Sequence, residues 1–214
     1  TLPNDPLFNR QWHLFNATHI GQSNGSTANL NFDLGAPEAW YFSTGTKDIP
    51  IAIIDTGVDS QHPDLRENLW INMEEKNGIK NVDDDQNGYI DDIHGWDFYD
   101  KRRNPLSWAP QLSGTGRANG DVRQSQAEIT RSHGSHVAGI IGAKGNNGIG
   151  TSGINWTTSL MALNAANNDN MFTDNDIVEA MHYAIDNGAK VINMSLGSVA
   201  KVSPDDFKKP GLYN

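Results

Sequence analysis

The chain has no cysteine among its 214 residues, which excludes disulfide bridges and thiolate–metal sites. That absence leaves the compartment open, since a cysteine-free secreted protein stabilised by ions is equally compatible with it. Basic residues are scarce: 16 Lys and Arg stand against 26 Asp and Glu, a formal net charge of −10. A phosphate backbone needs a basic surface, so nucleic acid is excluded as the partner. No apolar run approaches the ~20 residues that span a bilayer. The start, Thr1-Leu-Pro-Asn-Asp-Pro6, is not a signal peptide, so a targeting segment is expected to have been removed already. The acidic balance reads either as plain solubility or as clustered carboxylates awaiting divalent cations.

Strand and helix signals alternate along the chain. Residues 1–32 read as an extended arm holding the polar loop Gly21–Asn31. Asp33 is placed to cap a short helix over Ala36–Phe42. Ile49–Ile54 is a continuous apolar run, as expected of a strand buried on both faces of a parallel sheet. Gly95–Phe98, Leu160–Leu163 and Val191–Leu196 are further strands, and Val137–Ala143 is a helix of small residues. Thr173-Asp-Asn-Asp176 resembles a capping box. Behind it Ile177, Val178, Met181, Ala184 and Ile185 form a helical stripe closed by Gly188. Lys101–Arg131 has no periodicity and reads as a surface loop, as does the tail 198–214. The alternation predicts an α/β fold with a mostly parallel, doubly wound sheet and flanking helices.

Two segments carry the chemistry. Ile51–Asp59 runs Ile-Ala-Ile-Ile-Asp-Thr-Gly-Val-Asp, and Ser132–Gly142 runs Ser-His-Gly-Ser-His-Val-Ala-Gly-Ile-Ile-Gly. Asp55 closes its strand just before a glycine turn, where functional groups of open α/β sheets gather. A carboxylate embedded in apolar sequence is costly to bury without a hydrogen-bonding partner. A histidine N–H is a natural one, and the pairing fixes the imidazole tautomer for proton transfer. The plainer alternative is an Asp that only caps the turn. Of the two histidines, His133 is assigned to catalysis and His136 to packing or hydrogen bonding.

Residues 72–94 are polar and acidic. Counted from Asp83, positions 1, 3, 5 and 9 are Asp83, Asp85, Asn87 and Asp91, with Gly88 at position 6. That is the front of a Ca²⁺ loop. Position 12 is His94 instead of a bidentate Glu, so a complete EF-hand is not present; a solvated acidic turn is the alternative. Without a His-x-x-x-His or Cys cluster, calcium is favoured over zinc.

Together the Asp-Thr-Gly strand end, the His-Gly-Ser-His-Val-Ala-Gly helix start and Val191-Ile-Asn-Met-Ser-Leu-Gly197 resemble the subtilisin-like serine proteases, in family order over residues 1–197. The resemblance implies that Asp55 is the orienting acid and His133 the general base and acid. It implies that Ser195, Leu196 and Gly197 form a rail whose backbone pairs with an extended peptide substrate. Ser135 stands where the family usually has threonine, and Asn164 where lysine is common. A second Ca²⁺ site is implied at Asp5, Asp64 and Asn147, with backbone carbonyls near Gly145, Ile149 and Thr151. It would staple the arm to the loop after the catalytic helix. Asp5–Leu14 also resembles, more weakly, the start of kexin-like domains.

In that family the nucleophilic serine and the oxyanion-hole asparagine lie C-terminal to the substrate rail. The one Gly-Thr-Ser here, Gly150–Ser152, precedes the rail and is rejected as the nucleophile. The chain is therefore expected to be an N-terminal portion of one catalytic domain, with cleavage in 198–214 and a C-terminal fragment of the same protease as partner. The expected protein is a calcium-stabilised, secreted serine endopeptidase acting on polypeptides, made with a pro-segment. It carries two or more Ca²⁺ ions and no organic cofactor; a pro-peptide or an inhibitor is a further possible partner. A catalytically inactive scaffold serving as a calcium-dependent binding module is the alternative.

Overall fold

The computed structural model of this chain describes residues 2–16, 33–99, 133–167 and 169–197. The polar loop of the arm, the Lys101–Arg131 insertion and the tail 198–214 lie outside the described residues.

Strands β1 (Pro50–Asp55), β2 (Gly95–Asp97), β3 (Ser159–Asn164) and β4 (Val191–Asn193) form one four-stranded sheet in the order β2-β3-β1-β4. Every pairing in it is parallel. The register sets Asp55 opposite Asn164, and Asn164 opposite Asp97, so three strands end level at one edge. β1 and β3 are buried on both faces, which is why they read as unbroken apolar runs rather than alternating ones.

Helices α1 (Ala36–Trp40), α2 (Met73–Asn77), α3 (His133–Gly142) and α4 (Asp174–Asp186) accompany the sheet. Alternate residues of β1 and β3 feed two cores. Ala52, Ile54, Met161 and Leu163 meet Ala180, Tyr183 and Ala184 of α4 on one face. Ile53, Leu160 and Ala162 meet Ala138 of α3 on the other. Helices on both faces make the sheet doubly wound, as the alternation predicts.

Several local expectations shift. The described part of the arm, residues 2–16, is not extended: Phe8–Arg10 is a 3-10 turn, and Phe8 and Leu14 pack with Ala36 and Trp40 into a satellite core. α1 stops at Trp40, leaving Tyr41 and Phe42 exposed. Its N-cap is Gly35, held in the left-handed region at φ 61°. Asp33 instead accepts the backbone N–H groups of Asn16 and Gly35, which hold its carboxyl below the usual range. Helix α3 begins four residues earlier than the apolar pattern suggests, at His133.

Thr173 caps α4 through its hydroxyl, which accepts the Asp176 N–H and also bonds the Asp176 carboxylate. The predicted stripe is rotated, however. Asp176, Ala180, Tyr183 and Ala184 are buried, whereas Val178 and Ile185 are 50% and 59% exposed. Small Ala180 and Ala184 let the helix approach the sheet closely, and Tyr183 then fills the space beside β2. Finally β4 ends at Asn193, three residues short of the expected strand.

Candidate active site and cation sites

Asp55 is the last residue of β1 and is fully buried. The backbone N–H of Thr56 donates to its Oδ1 at 2.7 Å. His133, the first residue of α3, places Nδ1 at 2.8 Å from Oδ1 and 3.0 Å from Oδ2 of Asp55. An ionised carboxylate only accepts, so Nδ1 carries the proton and Nε2 is left as the basic nitrogen. The His133 side chain is 51% exposed, against 0% for Asp55. A buried acid thus orients an imidazole whose other edge is open to a reactant.

The segments around this pair interlock. Gly134 donates its N–H to Thr56 Oγ1 at 3.0 Å. Asp59 donates its N–H to Ser135 Oγ at 2.9 Å. A Cβ on Gly134 would lie 2.2 Å from the carbonyl oxygen of Gly57, so only glycine admits this approach. His136 is exposed, one turn along on the solvent side, which corrects the packing half of its sequence reading.

Ser195, Leu196 and Gly197 lie past the end of β4 and not within it; Ser195 and Gly197 are exposed. Ser195 Oγ accepts from Asn193 Nδ2 at 3.0 Å. β4 pairs with β1 alone, leaving it an edge strand among the described residues. Ser152 is fully buried, with its hydroxyl donating to the Gly153 carbonyl. It serves the arm, through paired bonds between its backbone and the Gln11 side chain.

In the acidic segment three carboxylates gather that only partly coincide with the positional count. Glu75, Asp85 and Asp92 bring carboxylate oxygens within 4.8 Å of one another. Asn72 Nδ2 bridges Asp85 and Asp92 at 2.8 and 2.9 Å, and Asn87 Nδ2 does the same at 2.9 and 2.9 Å. Of the predicted set, Asp85 joins the group and Asn87 touches it. Asp83 instead accepts the N–H groups of Asn87 and Gly88, and Asp91 that of Asn81. Gly88, at φ 93°, makes the sharp turn its position predicts. His94 Nδ1 faces the carbonyl of Trp70 at 2.8 Å, a backbone link and not a carboxylate one.

Asp92 is fully buried. Burial drives its pKa up to about 7, against the lowering effect of hydrogen bonds from Tyr183, Asn87 and Asn72, and with Asp85 repelling. Burial and the Asp92 charge push the Tyr183 hydroxyl far above its ordinary value, so it stays a donor.

At the second predicted site Asp5 and Asp64 are buried. Asp5 accepts the N–H groups of Asn146 and Asn147 at 2.7 and 3.2 Å. Asp64 accepts from Asn147 Nδ2 and from the Thr151 N–H, both at 3.0 Å. The Ile149 N–H closes the loop onto Asn147 Oδ1 at 2.8 Å. The structure therefore brings Asp5, Asp64, Asn147, Ile149 and Thr151 together and ties the arm to the loop after α3.

Sequence reading missed Glu75, Asp92 and Asn72. Asn72 is a helix N-cap, accepting the Glu74 N–H, and nothing in its spacing marks it. Asp92 precedes Ile93 just as Asp91 follows Ile90, so local sequence carries no signal that separates the buried carboxylate from its neighbour.

A family model described as the Subtilase family matches residues 46–211. Among curated relatives, the subtilisin-like protease 1 of Plasmodium berghei is 34% identical over 145 residues, 68% of this chain and 20% of the relative. Thermitase of Thermoactinomyces vulgaris is 32% identical over 162 residues, 76% of this chain and 42% of the relative. The chain thus spans less than half of either relative's length. Among solved structures, an Aeromonas sobria serine protease in complex with its chaperone superposes with a TM-score of 0.61 at 21% identity, covering 97% of this chain and 29% of that one. A protease from Pseudoalteromonas arctica gives 0.57 at 22% identity, covering 97% and 54%. At these identities the two structures establish the fold.

Proposed function

This chain belongs to the subtilase family, and we propose that it supplies the acid and the base of a serine endopeptidase. The observation that carries the reading is the 2.8 Å contact of His133 Nδ1 with a fully buried Asp55 carboxylate. In the proposed reaction Nε2 of His133 takes the proton of a serine hydroxyl as that oxygen attacks the peptide carbonyl. Asp55 keeps the ring in the productive tautomer and stabilises the imidazolium. His133 then delivers the proton to the leaving amine, and a water attacks the acyl-enzyme by the same path. The serine and the oxyanion donors belong to a C-terminal portion of the same catalytic domain, outside these 214 residues. Residues 195–197 continue from edge strand β4 and give an extended polypeptide a backbone rail.

Calcium belongs to the same proposal. Glu75, Asp85 and Asp92 offer hard, mostly buried oxygen donors whose carboxylates lie within 4.8 Å of one another. Asp5, Asp64 and Asn147 offer a second oxygen set linking the arm to the core. The chemistry of both sets fits Ca²⁺, whose role there is to hold loops in place. No helix among the described residues is long and apolar enough to cross a membrane. Secretion, removal of a pro-segment and cleavage in 198–214 complete the reading.

The test is labelling of the assembled protease with a serine-directed fluorophosphonate. Label on the C-terminal portion, lost in H133A, is expected. An assembled protein that takes no label, yet still binds calcium, would identify an inactive binding scaffold instead.

A further inference from the structure

We infer that Thr56 is a positioning residue for His133, acting as the N-terminal cap of α3 from a different segment of the chain. The inference rests on the catalytic reading of Asp55 and His133 and deepens it. A helix leaves its first N–H groups without intrahelical partners, and a side-chain oxygen normally satisfies one of them from the N-cap position. In α3 the N–H of Gly134 is satisfied by Thr56 Oγ1 at 3.0 Å, from 78 residues away in sequence. Thr56 directly follows the acid, and Gly134 directly follows the base. One hydroxyl therefore fixes the distance between the two backbones from which both catalytic side chains project.

The contact is reinforced on either side. Thr56 gives its own N–H to Asp55 Oδ1 at 2.7 Å, holding the carboxylate. Further out, the Asp59 N–H binds Ser135 Oγ at 2.9 Å. Between them, the Gly57 carbonyl abuts Gly134 so closely that no Cβ fits. Among the described residues, the His133 ring is held by its two contacts with the Asp55 carboxylate. Its placement depends on the Asp55 bond and on where the helix begins. Without the Thr56 oxygen, the Gly134 N–H loses its acceptor in a buried interface, and the helix start relaxes toward water.

The Thr-to-Val exchange removes the hydroxyl at nearly constant shape, whereas Thr-to-Ser keeps it. In the full-length protease, T56V is expected to lower kcat about tenfold or more, with KM within about twofold, because a small misplacement of a catalytic group costs rate more than binding. T56S is expected to restore kcat to within about threefold. T56V should also weaken the far-downfield proton resonance of His133 Nδ1–H, which reports the bond to Asp55 independently of turnover. Unchanged kcat and resonance in T56V, or equal losses in T56V and T56S, would overturn the inference. H133A separates the two levels of the claim. If H133A stays fully active, the catalytic reading fails; if H133A is inactive while T56V matches the parent, only the positioning role fails.

Discussion

The hydroxyl of Tyr183 donates to Asp92 Oδ2 at 2.5 Å, joining residues 91 positions apart. Tyr183 belongs to α4, which packs on the sheet, whereas Asp92 belongs to the acidic segment that gathers Glu75 and Asp85. The bond fastens the proposed cation loop to the core.

Y183F should loosen that connection. Removing a donor to a buried carboxylate leaves an under-satisfied acceptor, worth about 1–3 kcal/mol. Chemical denaturation in the presence of a chelator should show this loss, and added Ca²⁺ should recover part of it.

Asp92 also makes stability depend on pH. Its folded pKa of about 7 lies above its ordinary value of 3.8, so the folded state holds a proton that the unfolded chain has released. In metal-free protein this contribution is fully present below the unfolded pKa and is lost as pH rises from about 4 through 7. Ca²⁺ favours the ionised carboxylate, so the calcium-induced rise in Tm should grow from pH 5.5 to pH 8. D92N should flatten both trends in thermal melts across that range.

The two ligand sets for the acidic segment predict different mutants. E75Q and D85N should each lower Ca²⁺ affinity by at least about tenfold, since each removes a charged oxygen donor. D83N should leave affinity within about threefold, because Asp83 stands outside the trio Glu75, Asp85 and Asp92 whose oxygens lie within 4.8 Å of one another. Asp85 belongs to both sets, so isothermal titration of the full-length protease distinguishes them through E75Q and D83N; a loss in D83N with parental affinity in E75Q would restore the set Asp83, Asp85, Asn87 and Asp91.

D55N should cut kcat by about 10⁴-fold, the loss typical of a triad acid made neutral, with KM little changed. Its amide donates where the carboxylate accepted, favouring the other tautomer of His133. Peptide hydrolysis by the full-length protein measures this, and a D55N enzyme with parental kcat would remove Asp55 from the mechanism.

G134A should cost about 1–3 kcal/mol through overpacking. The added methyl meets the Gly57 carbonyl at 2.2 Å, and backbone cannot rotate aside as a side chain can. Thermal melts against G139A give the contrast, since nothing lies within 4 Å of a Cβ at Gly139.

Local chemistry was well written in the sequence where one residue type has one physical use. The continuous apolar run before Asp55 announced a strand buried on both faces, and Thr173 with Asp176 announced a helix start. The glycine at position 88 announced a left-handed turn. Patterns that several arrangements satisfy were less decisive. Counting from Asp83 favoured Asp91, yet its carboxylate turns to Asn81, and Asp92 beside it is the one buried. Val178 and Ile185 matched a helical stripe, but small Ala180 and Ala184 set the face that meets the sheet.

The sequence alone determined the alternation of parallel strands and helices, and the presence of an acid at one strand end and a histidine at one helix start. Those features follow from periodicity and from the cost of burying a charge, both of which act over a few residues. Tertiary structure decided which carboxylates of the acidic segment gather, that Tyr183 reaches Asp92, and that Thr56 caps a helix 78 residues away. Such pairings depend on how elements pack against one another, and distances between distant segments are set only when the sheet and both its cores have closed.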